Sequence, residues 1–290
     1  MNKNLLRSVA VANALLLTGQ AAQAKTFAWK ATGKGGVVYV IGSVHVLSKD
    51  FYPLNAALEA AYKDSDLLVE ELNLDEATGL DSQMAFLSRG MLPSTTSLDK
   101  VVSPATYALL TKRLTGSGIP IEPLMLLKPW MVALMMEQLE WQRAGLDPEL
   151  GLDKHFYDQA KRDGKAVQGF ETVEYQLSLF DDMPAAEQDH LLAETLKDID
   201  TEQSNMSKLI EAWRTGDAAT VERIVLADLR PEPQLYQRLL AGRNRNWMPK
   251  IDALLLRKGH ALIVVGAAHL VGSDGLIAML KAKGYTVEQL

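Results

Sequence analysis

The chain has 290 residues, 48% hydrophobic and 23% charged, with a formal net charge of −6 and no cysteine. This is the composition of an ordinary globular protein with enough length to bury a large core. The acidic balance gives no support to nucleic-acid binding. The lack of cysteine excludes disulfides, thiol nucleophiles, zinc–thiolate sites and a lipidated cysteine.

Lys3 and Arg7 precede a short apolar run, Val9 to Leu17, and Ala22-Gln23-Ala24 has the small-x-small form of a cleavage signal. Residues 1–24 therefore read as a secretory signal peptide. The apolar run is well short of the roughly 20 residues a membrane helix needs. The expectation is an exported protein, periplasmic or secreted, with no membrane span after cleavage and with residues 25–290 as a single domain.

Phe27 to Lys30 and Val37 to Ile41 read as two strands of a hairpin around the turn Thr32-Gly-Lys-Gly-Gly36. Pro53 is expected to open a helix through about Asp64, with Leu54, Leu58 and Ala61 on one face. Asp66 to Leu74 follows as an apolar strand, and strand, helix and strand in sequence suggest a parallel unit. From about residue 75 to 229 helical periodicity dominates, interrupted by a brief strand at Lys165 to Phe170. Several amphipathic helices are expected between Pro184 and Leu229, and one more from Pro233 to Leu256. The Met-rich stretch Leu124 to Met136 reads as core or groove wall, not as a membrane span. The chain closes as strand, loop, helix Leu276–Lys283 and strand Tyr285–Gln289. The expected fold is α/β: a mixed, largely parallel sheet built from two half-domains, with a helical insertion in the middle.

The two half-domains share a local pattern. Val38-Tyr-Val-Ile-Gly42-Ser-Val-His45 and Leu262-Ile-Val-Val-Gly266-Ala-Ala-His269 each run from a branched apolar strand through a glycine to a histidine three positions on. Buried parallel strands present working residues just beyond their carboxyl ends, and only five histidines exist in the chain. Glu70 and Glu71 end another apolar strand and point to opposite faces. One is expected to meet solvent or a helix terminus and the other to join the histidines. A carboxylate at the end of an apolar strand needs a metal ion or an arginine as partner. Two neutral imidazoles with one or two carboxylates form a ligand set for a divalent metal: zinc, manganese, iron or cobalt. Glu171 also ends a strand and could serve as a general base, while Arg243 could stabilise an oxyanion.

These segments resemble the TraB/GumN family, which includes the Tiki metalloproteases. Glu71-Leu-Asn-Leu, Leu127-Lys-Pro-Trp130, Gly151-Leu-Asp153, Gly169-Phe-Glu-Thr172, Arg243-Asn244-x-x-Trp247 and Gly284-Tyr-x-Val287 are similar to further segments of that family, with Asn73 and Phe170 departing from them. The resemblance implies a fold of the erythromycin-esterase/ChaN-like group, metal dependence, and peptide or amide hydrolysis. It also implies His45, Glu71 and His269 as metal ligands, with Glu171 and Arg243 in the site wall. The alternative it implies is a non-catalytic iron-, haem- or ligand-binding periplasmic protein. The expected partner is a peptide or small-molecule substrate.

Overall fold

A computed structural model describes residues 25–227 and 229–290, so the expected signal segment, residues 1–24, lies outside the described residues. Six strands make one sheet among the described residues: β1 Ala28–Thr32, β2 Gly36–Ser43, β3 Leu67–Glu70, β4 Ala166–Gly169, β5 Gly259–Gly266 and β6 Thr286–Gln289, in the order β4-β3-β5-β2-β1-β6. β4, β3, β5 and β2 run parallel, and β1 is antiparallel to both of its neighbours. The order follows from the sequences. Val38 to Ile41 and Ala261 to Val265 are apolar throughout, as strands covered on both faces must be, and they are buried in the middle of the sheet, with Tyr39 at 7% the most exposed of them. β4 and β6 alternate between exposed and half-buried residues and form the edges.

The α/β class and the largely parallel sheet agree with the sequence expectation, with three local differences. β2 and β3 are parallel but not adjacent, because β5 lies between them. The helix after β2 begins at Ala56, not Pro53, because the Asn55 side chain accepts from Ala57 N and caps it there. The region after Pro184 is one helix, Ala185–Arg214, followed by a shorter one, Ala218–Val225. Its polar residues blur the periodicity, but no glycine or proline interrupts those thirty residues.

The helices Pro104–Ser117, Pro129–Arg143 and Ala185–Arg214 bury Leu110, Leu114, Val132, Met136, Leu192 and Leu196 in a core of their own. The Met-rich stretch contributes there through Met136, while Met131 is buried in a smaller cluster with Trp130 and Leu177. No helix among the described residues is long and apolar enough to cross a membrane.

Candidate functional site

In the paired strands β2 and β5, Gly42 lies opposite Val265 and Ser43 opposite Gly266. The two Gly-x-x-His segments therefore leave the sheet side by side, offset by one residue. After β5 the chain tightens into a helical turn, Ala267–Leu270, which carries His269 into the interior. After β2 it passes under the start of the helix Leu152–Asp163. A Cβ on Gly151 would come within 2.2 Å of the His45 carbonyl oxygen, so glycine there is what lets the helix begin against this loop. That placement puts Asp153, in the first turn, 2.8 Å from His45 Nδ1, and Ser43 Oγ donates to the same Asp153 oxygen at 2.5 Å.

β3 ends at Glu70, and Glu71 is the first residue beyond it. Glu71 Oε1 accepts from Gly266 N at 2.8 Å, which ties the end of β3 to the end of β5. Glu71 is thus the glutamate that joins the histidines. Glu70 does not meet solvent or a helix terminus. It is 2% exposed, and neither of its carboxyl oxygens has a hydrogen-bond partner among the described residues. Burial, with Asp153 as a neighbouring acid, pushes its carboxyl up to about 9, so it is held protonated at neutral pH.

Arg243, on the helix Gly242–Leu256, is the hub. Its Nε donates to both oxygens of Glu171 at 3.0 and 3.1 Å. Nη2 donates to Glu171 Oε2 at 2.7 Å and to Glu71 Oε2 at 2.5 Å. Nη1 donates to Leu239 O at 3.2 Å and lies 3.1 Å from His269 Nε2. Every N–H of the guanidinium is therefore engaged within the protein. Glu171 is equally occupied, since it also accepts from Trp247 Nε1 at 2.8 Å and Gln176 Nε2 at 3.0 Å. The β3–β4 pairing brings it close: Glu171 N donates to Glu71 O. Burial works to raise the Glu71 carboxyl, but Arg243, His45 and the N–H of Gly266 outweigh it and hold it well below the usual carboxylate range.

The two imidazoles sit in different settings. Asn244 Nδ2 donates to the carbonyls of His269 and Asp274, so its Oδ1 is left as the acceptor for His269 Nδ1 at 2.7 Å. His269 Nε2 is then an acceptor, facing Arg243. Burial drives this imidazole down to about 3 and keeps it neutral. His45 has a side chain 55% exposed. The Asp153 carboxylate draws its pKa up, and water tempers that pull.

The residues fit a divalent ion in their chemistry. Each imidazole has Nδ1 held by a side-chain oxygen, the arrangement that orients a histidine ligand and leaves Nε2 free to bind. A Cβ placed on Gly266 would lie 3.3 Å from Glu71 Oε1, 3.3 Å from His45 Nε2 and 3.6 Å from His269 Cδ2. The missing side chain leaves a hollow that these three residues surround. In the present arrangement no group of three or more such side chains among the described residues closes on one point. Arg243 Nη1 takes the His269 lone pair that an ion would need.

The profile of the TraB/PrgY/gumN family matches residues 27–289. The chain belongs to this family. It is 26% identical over 243 residues to the uncharacterized protein YbaP of Escherichia coli, spanning 84% of this chain and 87% of that one, and equally similar to YbaP of Shigella flexneri. It is 24% identical over 303 residues to Metalloprotease TIKI1 of Danio rerio, covering 86% of this chain and 60% of that protein. No solved structure matches it significantly.

In this TraB/PrgY/gumN-family chain the structure gathers Glu71, Glu171, Arg243 and His269 into one network and brings His45 to its rim. Sequence reasoning missed Asp153, Asn244, Gln176 and Trp247 as site residues. Asp153 stood out only through the Gly151-Leu-Asp153 resemblance, and as an acid in the first turn of a helix, where acids are favoured anyway, it carried no signal of a site. Asn244 and Trp247 were visible through their place beside Arg243 on one helix. Gln176 carried no signal.

Proposed function

We propose that this chain is an exported metal-dependent hydrolase that cuts peptide or amide bonds, with the ion held by His45, Glu71 and His269. The observation that carries this is the hollow at Gly266, bordered by two oriented imidazoles and one ionised carboxylate. The name of the relative Metalloprotease TIKI1 supports the same class. A divalent ion there (manganese, cobalt, zinc or iron) would polarise the substrate carbonyl. The chain's own groups do the rest. Asp153 and Asn244 fix the two imidazole rings. Glu171 anchors Arg243 and leaves it one N–H, on Nη1, whose acceptor is exchangeable. With His269 Nε2 engaged elsewhere, that N–H is left to donate to an oxygen of the substrate as negative charge develops on it.

The test is metal content by mass spectrometry beside turnover of a peptide library, for the wild type and the His45→Ala/His269→Ala pair. Stoichiometric metal and hydrolysis in the wild type, both lost in the double variant, is the expected result. Trace metal in both proteins after reconstitution with manganese, cobalt and zinc, with no hydrolysis, would end the proposal. A second reading is favoured by the contacts of Arg243: the guanidinium is itself the cation of the site. Turnover that survives chelation but falls in Arg243→Lys would favour it.

A further inference from the structure

A second cavity, of about 530 Å³, lies beside the site and is lined almost entirely by apolar side chains, Phe86, Leu87, Trp130, Leu134, Leu177 and Phe180 among them. Two residues join it to the first. Phe180 lines both this groove and the cavity of about 560 Å³ that holds His45, Glu71, Arg243 and His269. Gln176 lines the groove, and its amide donates to Glu71 Oε2 at 3.3 Å and to Glu171 Oε2 at 3.0 Å. One side chain thus separates the groove from the carboxylates.

A further observation points to an occupant. The helix Leu80–Gly90, which forms one wall, leaves Met84 and Leu87 each 60% exposed and Leu80 71% exposed. Apolar residues at that helical spacing normally face a core, and here Leu87 lines the open groove together with Phe86. Trp130 is fully buried between Phe86 and Phe180, and its indole N–H has no acceptor among the described residues. Buried tryptophans usually find one. A partner with an apolar side chain would cover Leu87 and Phe86, with the sealed Trp130 as part of the floor beneath it. The Ser82 hydroxyl donates to Glu76 O and the Gln176 amide to the two carboxylates, so on the same lining their side-chain oxygens remain as acceptors suited to peptide N–H groups.

We propose that this groove is an arm of the substrate cleft that seats a bulky apolar side chain of a peptide. This deepens the peptidase reading and rests on it for the identity of the substrate. It makes the enzyme selective for leucine- or phenylalanine-sized residues at a fixed distance from the bond that is cut.

The test separates binding from hydrolysis. Fluorescein-labelled nonapeptide libraries, with one position fixed in turn as Leu, Phe, Ser or Glu, are titrated by fluorescence polarisation in the presence of EDTA. The Leu and Phe libraries should bind at least about tenfold more tightly than the Ser and Glu libraries, as burying such a side chain implies. Leu87→Glu, at an exposed position, should abolish that preference. Leu256→Glu, at an exposed apolar position outside the groove lining, should leave binding unchanged. Equal binding of all libraries, no binding at all, or an undiminished preference in Leu87→Glu would overturn the proposal. So would displacement of the probe by laurate but not by unlabelled peptide, which would point to an acyl chain. Apolar-selective binding without cleavage after metal is restored would leave the groove standing and sink the hydrolase reading instead. Cleavage without apolar preference would do the reverse.

Discussion

The two Gly-x-x-His segments begin from paired strands, one residue out of register, and end in opposite environments. His269 is buried, neutral and wedged between Asn244 and Arg243; His45 stands half open to solvent on the carboxylate of Asp153. The His269 side holds a cation that answers both of its carboxylates, Glu71 and Glu171. The His45 side gathers acids, Asp153 and the unpartnered Glu70, with no guanidinium between them. The shared motif fixes where each imidazole starts. The neighbouring helices fix what each imidazole is, one a neutral ring that accepts at Nε2 and the other a group close to solvent and to a negative charge. A pair built this way has one rigid member and one adaptable member.

The His269 side should break hardest. Arg243→Gln removes the cation and strands two buried carboxylates, whose side chains are 15% and 4% exposed. Removing one partner of a buried ion pair costs about 3–5 kcal/mol, or on the order of 10 °C in melting temperature for a chain of this size. Asp153→Asn, on the His45 side, should cost about 1 kcal/mol or less, because that pair is partly in water. Urea unfolding of the two variants measures the contrast directly. Equal losses would mean that the two sides are energetically alike and that the comparison rests on appearance.

The acids of the His45 side predict a pH dependence of the opposite kind. Glu70 is protonated in the folded state, with its pKa raised to about 9, whereas the unfolded chain releases that proton near the ordinary carboxylate value of 4.5. Between those values the folded state binds more protons than the unfolded state, so stability falls as pH rises. The slope contributed by this one group approaches 1.4 kcal/mol per pH unit. Glu70→Gln should flatten the melting-temperature profile between about pH 5 and 9 while leaving the Arg243 network intact. A profile in the variant as steep as in the wild type would show that another group carries the slope.

The sequence revealed the parts of this contrast more readily than their arrangement. The apolar strands ending in Gly42 and Gly266 could be read because buried parallel strands have a distinctive composition, and they placed His45 and His269 at strand ends. That the strands are neighbours could not be read, since more than two hundred residues separate them and no local pattern encodes pairing. The network around Arg243 was hidden for the same reason: Glu71 and Glu171 reach it from 172 and 72 residues away. Asp153 and Asn244, which decide the state of each imidazole, sat in plain helical contexts that explain an acid or an amide without any site.

Smaller effects than at Arg243 should come from the two motif glycines, and they test whether the motif serves the fold or the site. A Cβ on Gly42 would run into the Phe27 ring at 2.4 Å, and Phe27 is 1% exposed in the main core. Gly42→Ala therefore overpacks the core, at a cost of about 1–3 kcal/mol, and should lower the melting temperature by several degrees without touching a metal ligand. At Gly266 the backbone angles, φ −47° and ψ 137°, are open to alanine, and the new methyl would meet only Glu71 Oε1, His45 Nε2 and the edge of His269, at 3.3 to 3.6 Å. Gly266→Ala should shift the melting temperature by no more than about 1–2 °C, because a few tenths of an ångström of side-chain movement relieves the contact. The same methyl fills the hollow between the proposed ligands, so metal uptake should fall to the level of the double-histidine variant. Calorimetry and metal analysis on the two alanine variants give four numbers. Loss of stability at Gly42 with metal retained, against loss of metal at Gly266 with stability retained, is the outcome that follows from one glycine packing a core and the other clearing a site. Full metal content in Gly266→Ala would place the ion elsewhere, and with it the function assigned to this end of the sheet.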